Sequence, residues 1–236
     1  MKINRKQACQ ADLRHRILTL NIEPGSVLDE TVLSQQYELS RTPLREVFQR
    51  LAGEGFLTLE ENRGAKVSSM DIASMRNFFQ SAPLIYAAVG RLAAENAKSP
   101  QVTALKNAQR SFRKASESGN VLEMAMFNHS FHHIIGEMAG NAYLTPSLNR
   151  LLIDHTRMSQ LFYNPKNDRE EQLIRTACDQ HDQMIEAIEK GEPAVVVELT
   201  LEHWSLSRDR MEKYVRPDPL PTDLDMDTYE TKKHAF

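Results

Sequence analysis

Residues 40–53 read Ser40-Arg41-Thr42-Pro43-Leu44-Arg45-Glu46-Val47-Phe48-Gln49-Arg50-Leu51-Ala52-Gly53. At about 100° per residue, Leu44, Val47, Phe48 and Leu51 form one apolar stripe. Arg41, Thr42, Arg45 and Gln49 begin beside that stripe and cover the exposed side. Ser40 is placed to cap the helix by accepting an orphan backbone N–H. Pro43 falls in the first turn, where its missing donor is not needed. The helix therefore anchors one side in a core and offers two arginines, one turn apart, near its N-terminus. Arginine there suits a major groove, where it pairs with guanine O6 and N7. The helix N-terminus also favours a phosphate. Taken alone, the same helix also fits a solvated amphipathic surface element.

The order of the flanking segments separates these readings. Upstream, residues 9–22 predict a helix with Leu13, Ile17, Leu18 and Leu20 available for a core, ended by Pro24-Gly25. Residues 29–37 predict a second, short helix carrying Val32, Leu33 and Tyr37. Downstream, Gly55 closes the third helix. Phe56 to Leu59, a polar tip at Glu60 to Gly64, and Ala65 to Val67 predict a β-hairpin in which Asn62, Arg63 and Gly64 reach outwards. Helix, helix, tight turn, helix and hairpin is the layout of a winged helix-turn-helix.

Beyond residue 70 the pattern is helical throughout. The candidate helices are 70–79, 80–98, 101–117, 120–139, 143–164, 169–190 and 193–214. Ser99-Pro100, Ser118-Gly119, Gly140-Asn141 and Gly191-Glu192-Pro193 punctuate them. An antiparallel helical bundle is the packing solution. The expected division is a DNA-binding unit at 8–68, a linker or linker helix at 69–79, a helical effector-binding and dimerisation unit at 80–214, and a Pro-rich, acidic, disordered tail at 215–236. The fold class is thus mainly α, with a small β-hairpin wing.

Bulk charge adds little. The chain of 236 residues has a formal net charge of −3, which does not mark a polyanion binder. Residues 1–68 carry ten Lys and Arg against nine Asp and Glu, a mild reversal of that sign. Two cysteines, Cys9 and Cys178, lack metal-type spacing and exclude a disulfide framework. No apolar run approaches the roughly 20 residues of a bilayer span, and the N-terminus has no apolar signal core. A cytoplasmic protein without a membrane partner is expected.

The helical half holds six of the eight histidines. On 120–139, Phe127, Phe131, Ile134, Ile135 and Met138 define the core face. Asn128 and His132 flank it, and His129 and His133 point towards solvent. His181 lies in the stripe Ile174, Ala177, Cys178, Met184, Ile185, Ile188. His203 lies in the stripe Val196, Leu199, Leu206. Three inward histidines on three helices fit a transition-metal site. They fit equally three separate core histidines, each bonded to a carbonyl or a water. No HExxH-type pairing and no clearly placed general base accompany them, so a metal-dependent enzyme is not expected.

The run from Ile17 to Val67 resembles the GntR family of bacterial regulators. The resemblance rests on Pro24-Gly25, Leu28, Glu30, Leu33, the block Ser40 to Glu46, Leu51, Gly55, Arg63-Gly64 and Val67. It implies that Arg41, Thr42, Arg45 and the wing tip contact a double-stranded operator. Thr31 stands where some fatty-acid-responsive members have a DNA-touching arginine. Residues 80–210 resemble the FCD ligand-binding domain of the FadR subfamily through Asn128-His129-Ser130-Phe131-His132, Gly140 to Leu144, His181 and His203. That resemblance implies a divalent transition metal, such as Zn or Ni, surrounded by Asn128, His132, His181 and His203, with a carboxylate effector against it. Asn128 replaces a common Asp, and a neutral oxygen is the weaker ligand. Gln80, Ala82 and Tyr86 replace a common Glu-x-Arg and later Glu. Tyr86 and Arg157 are the remaining candidates for contact with a small-molecule effector. Operator logic implies a homodimer, two recognition helices reading the half-sites of a palindrome.

Overall fold

The computed structural model describes residues 4–60 and 64–212. The expected tail at 215–236 lies outside them. Among the described residues nine helices accompany one three-stranded antiparallel sheet.

α1 (Arg5–Leu18) begins earlier and ends earlier than the sequence predicts. Asn4 caps it by accepting from the Lys6 amide at 3.1 Å. Its end is set by Thr19, whose hydroxyl bonds the His15 carbonyl at 2.8 Å. Leu20 then turns into the left-handed region at φ 60. The helix is therefore over before Pro24-Gly25 is reached. α2 (Glu30–Tyr37) is capped by Asp29, which accepts from Thr31 and Val32 at 2.7 and 3.0 Å. α3 (Arg41–Gly53) has Ser40 at its cap position, but that side chain makes no cap hydrogen bond. This corrects the capping role expected of Ser40.

Gly55, at φ 89, turns the chain out of α3. The wing follows as expected, with β2 (Leu57–Glu60) antiparallel to β3 (Gly64–Val67). A further strand, β1 (Val27–Leu28), pairs with the other edge of β3. Two residues are too few for alternation to show in sequence. Leu13, Ile17, Leu33, Leu44, Val47, Phe48, Leu51 and Val67 form the core of this head.

The rest is helical: α4 (Ile72–Asn96), α5 (Ser99–Glu117), α6 (Val121–Ala139), α7 (Leu144–Phe162), α8 (Asp168–Lys190) and α9 (Pro193–Glu212). The two helices expected at 70–79 and 80–98 are one. Asp71 caps it, and Pro83 sits inside it. A proline there removes one backbone bond, which a helix of 25 residues packed along its length tolerates. α4 packs against α6, α7 and α9, and α5 against α6 and α8. The main core contains Phe78, Tyr86, Phe131, Met138, Leu152 and Trp204. α7 also reaches the head, because Ile153 belongs to the head's core.

Candidate DNA-binding face and histidine cluster

Burial of the Leu44, Val47, Phe48 and Leu51 stripe turns the other side of α3 outwards. Arg41, Thr42, Arg45 and Gln49 are all exposed. Arg45, Gln49 and Gly64 line one concavity of about 910 Å³ between α3 and the wing. Arg45 is forked onto Glu30 of α2, with Nε at 3.1 Å and Nη2 at 3.2 Å from the carboxylate oxygens. Its side chain is nevertheless 63% exposed, so the guanidinium is oriented without being shielded. Asn62 and Arg63 lie outside the described residues.

His132 on α6, His181 on α8 and His203 on α9 converge in the helical half, and Asn128 lies buried one turn before His132 on α6. One ring nitrogen each of His132, His181 and His203 lies within 4.8 Å of the others. Gln109 of α5 decides the state of His181. Its amide donates to the Cys178 carbonyl at 2.8 Å, which turns its Oε1 to His181 Nδ1 at 2.9 Å. Nδ1 therefore carries the proton and Nε2 keeps a bare lone pair. His203 Nδ1 faces Gln180 Oε1 at 3.1 Å, with the same consequence. The two Nε2 atoms stand 3.2 Å apart.

Two lone pairs at that distance repel unless a cation lies between them. Nitrogens sharing a tetrahedral ion at about 2.0–2.1 Å would stand about 3.3 Å apart, close to the spacing observed. Asn128 Oδ1 and His132 Nε2 are buried without a hydrogen-bond partner among the described residues. Burial and the neighbouring imidazoles hold His132 and His181 well below the usual histidine range. Burial brings His203 down to about 4. All three are thus neutral near pH 7, the form that ligates a metal. The donors fit a divalent transition metal, with Gln109 and Gln180 fixing the tautomers as outer partners do.

Tyr86 lies beside this cluster. It is buried, its hydroxyl is 2.7 Å from His155 Nδ1, and its ring is edge-on to His132 with centroids 5.2 Å apart. Phe78 and Trp204 pack around Tyr86 and His155. A cavity of about 10 Å³ lies beside His155 and His203, lined also by Ser159, Phe162 and Tyr163.

Arg157 is elsewhere. It is fully buried, bonded to Asp154, and donates to the Ser68 carbonyl at 2.9 Å. It is not on the surface, and its guanidinium is engaged by Asp154 and Ser68. His129 also differs from expectation, whereas His133 keeps its side chain 40% exposed. They face the head across a cleft of about 620 Å³, lined also by Arg14, Gly55 and Arg150. His129 is bonded to Thr156 at 2.8 Å, and burial together with nearby His133 brings it down to about 4.

His155 was not singled out by sequence. Residues 152–159 of α7 are all buried, because the helix lies between the two halves. Periodicity has no stripe to report in such a helix. Polar residues at consecutive buried positions, Asp154 to Arg157, were the signal available.

Residues 5–67 match the family described as bacterial regulatory proteins, gntR family, and residues 84–206 match the FCD domain. The chain belongs to the GntR family. This GntR-type protein is 26% identical over 191 residues to the HTH-type transcriptional repressor RspR of Escherichia coli (strain K12), covering 81% of this chain and 82% of that one. It is 24% identical over 197 residues to the HTH-type transcriptional repressor GlaR of the same organism, covering 81% and 88%. Among solved structures it resembles E. coli McbR/YncC with a TM-score of 0.74 and 16% identity, over 91% of this chain and 100% of that one, a likeness of fold. This GntR regulator is therefore a DNA-binding transcription regulator with an FCD effector domain, and its family is not one of enzymes. Among the described residues no helix is long and apolar enough to cross a membrane.

Proposed function

We propose that this regulator binds a palindromic operator as a homodimer, and that a divalent transition metal, such as Zn or Ni, held by His132, His181 and His203 with Asn128 beside them, governs its affinity. The observation that carries the metal reading is the pair of Nε2 atoms 3.2 Å apart, each imidazole facing a glutamine oxygen from its far nitrogen. When bound, the ion supplies a Lewis-acidic centre that ties α6, α8 and α9 together. Gln109 and Gln180 hold the imidazoles in the ligating tautomer, and Phe131 stacks on His181 at 4.0 Å. Arg41, Thr42, Arg45, Gln49 and the wing tip, including Asn62, Arg63 and Gly64, read the operator.

A carboxylate effector against the metal is the reading drawn from the family. The ion as the signal in its own right is the second reading, and the cavity of about 10 Å³ favours it. That space suits about one water molecule, not an organic acid.

An operator selected from random duplexes provides the test. Arg41→Ala or Arg45→Ala should weaken binding by about 1–3 kcal/mol per lost base pairing. Unchanged affinity in both variants would remove the recognition-helix assignment. Replacing His132, His181 and His203 together by Ala should abolish stoichiometric Zn or Ni binding in calorimetry. Full metal content in that variant would end the metal reading. Titrating the metal with and without small carboxylic acids separates the two effector readings.

A further inference from the structure

α7 presents different functions on its two sides. Towards the head it carries Arg150, Ile153, Asp154, Arg157 and Gln160. Gln160 donates to the Leu18 carbonyl at 2.9 Å. Arg157 donates to the Ser68 carbonyl at 2.9 Å and from Nη2 to Ser68 Oγ at 3.1 Å. Asp154 bonds Arg157 and also accepts from Arg150 at 3.1 Å. Arg150 lies so close over Gly55 that an added Cβ there would overlap its side chain. Gly55-Phe56 and Ser68 are the two feet of the wing, joined by a bond of 2.9 Å from the Ser68 amide to the Phe56 carbonyl. Ser68 is also the start of the link from β3 into α4. On its other side α7 carries Leu152 in the main core, and His155, which is bonded to Tyr86 of α4 and has its ring 5.5 Å from that of His132.

We infer that Asp154 and Arg157 are positioning residues that clamp the DNA-binding head to α7, and that α7 transmits the state of the histidine cluster to that clamp. The inference rests on the metal reading for its trigger, and on the buried bonds to Ser68 for the clamp. A buried ion pair gives no clear stability advantage over apolar residues of similar volume. Its directional bonds instead specify one orientation, here that of the wing relative to α7. His155 and Asp154 are neighbours on one rigid helix. A shift of α7 that accommodates an ion beside His132 moves both, and two-state packing rather than gradual bending is the expected response.

The test uses the full chain, wild type and the double variant Asp154→Asn with Arg157→Met, which removes both charges at similar volume. Zn binding by calorimetry, operator affinity with and without Zn, and hydrogen exchange over residues 55–70 are measured. In the wild type Zn should change operator affinity by about tenfold or more, within the usual range of allosteric coupling. The double variant should bind Zn as the wild type does, yet show less than about a twofold response. A folded double variant with the wild-type response overturns the clamp while the metal reading stands. If the wild type neither binds Zn nor responds to it, the metal reading fails and hydrogen exchange judges the clamp. Exchange about tenfold faster at the wing feet of the variant then supports it, and unchanged protection overturns it. Should the double variant fail to fold, Arg157→Lys serves instead. It keeps the charge but loses the fork that reaches Ser68 and Asp154 together.

Discussion

Arg45 in the head and Arg157 at the junction with the helical half are the same residue used in opposite ways. Both are paired with a carboxylate, Arg45 forked onto Glu30 through Nε and Nη2, Arg157 joined to Asp154 through Nη2 while its other bonds go to Ser68. The Arg45 side chain is 63% exposed, whereas that of Arg157 is fully buried. An exposed pair is worth about 0–1 kcal/mol, so DNA can compete for Arg45 at little cost. A buried pair cannot exchange partners with solvent, so Arg157 can only hold. The head therefore keeps its functional groups outside a small apolar core, and the helical half keeps its own inside.

The largest effect should come from removing one partner of the buried pair. Asp154→Ala leaves the Arg157 guanidinium uncompensated and should cost roughly 3–5 kcal/mol of stability. Glu30→Ala should cost no more than about 1 kcal/mol. Urea denaturation of the two variants checks the contrast. Equal losses would mean that burial does not distinguish the two arginines.

Acid should separate the halves in the next largest degree. Burial brings His155 down to about 3, with nearby His203 and His129 adding to the effect. His129 and His203 come down to about 4. Between these values and the ordinary histidine range near 6.5, the unfolded chain binds protons that the folded chain refuses. Stability therefore rises with pH across this window and is lost as pH falls from 6.5. His155 alone contributes a slope of up to about 1.4 kcal/mol per pH unit there. Denaturant midpoints of the metal-free protein from pH 7 to 4 measure it. Replacing His155 by Phe should flatten the slope, and an unchanged slope would contradict the assignment.

The same contrast explains what could be read in advance. α3 was legible because a single-faced helix writes its burial into a period of 3.6, and Arg41, Arg45 and Gln49 are exposed as that period requires. His132 and His181 were legible for the same reason, each lying in or beside an apolar stripe. α7 was not, because both of its sides are covered by different partners. Arg157 read as a ligand contact, since nothing local reveals that Ser68 approaches it from so far along the chain. β1 was invisible because two residues carry no pattern, and the merger of two helices into α4 because Pro83 normally argues for a break.

The smallest predicted effect tests the head alone, through the unlike caps of α2 and α3. Asp29 accepts from two amides of α2, so Asp29→Ala should cost about 0.5–2 kcal/mol in denaturation. Ser40 makes no cap bond and is exposed, so Ser40→Ala should leave stability within about 0.5 kcal/mol of wild type. The first amides of α3 are then left without the side-chain partner that α2 has, at a helix end where the dipole favours an anion. A DNA phosphate is the anion this position would receive, and the Ser40 hydroxyl is free to donate to it. Ser40→Ala should thus weaken operator binding measurably while hardly moving the denaturation midpoint. The reverse pattern, a lost midpoint with unchanged DNA affinity, would show that Ser40 caps α3 after all and that the helix end is not offered to the duplex.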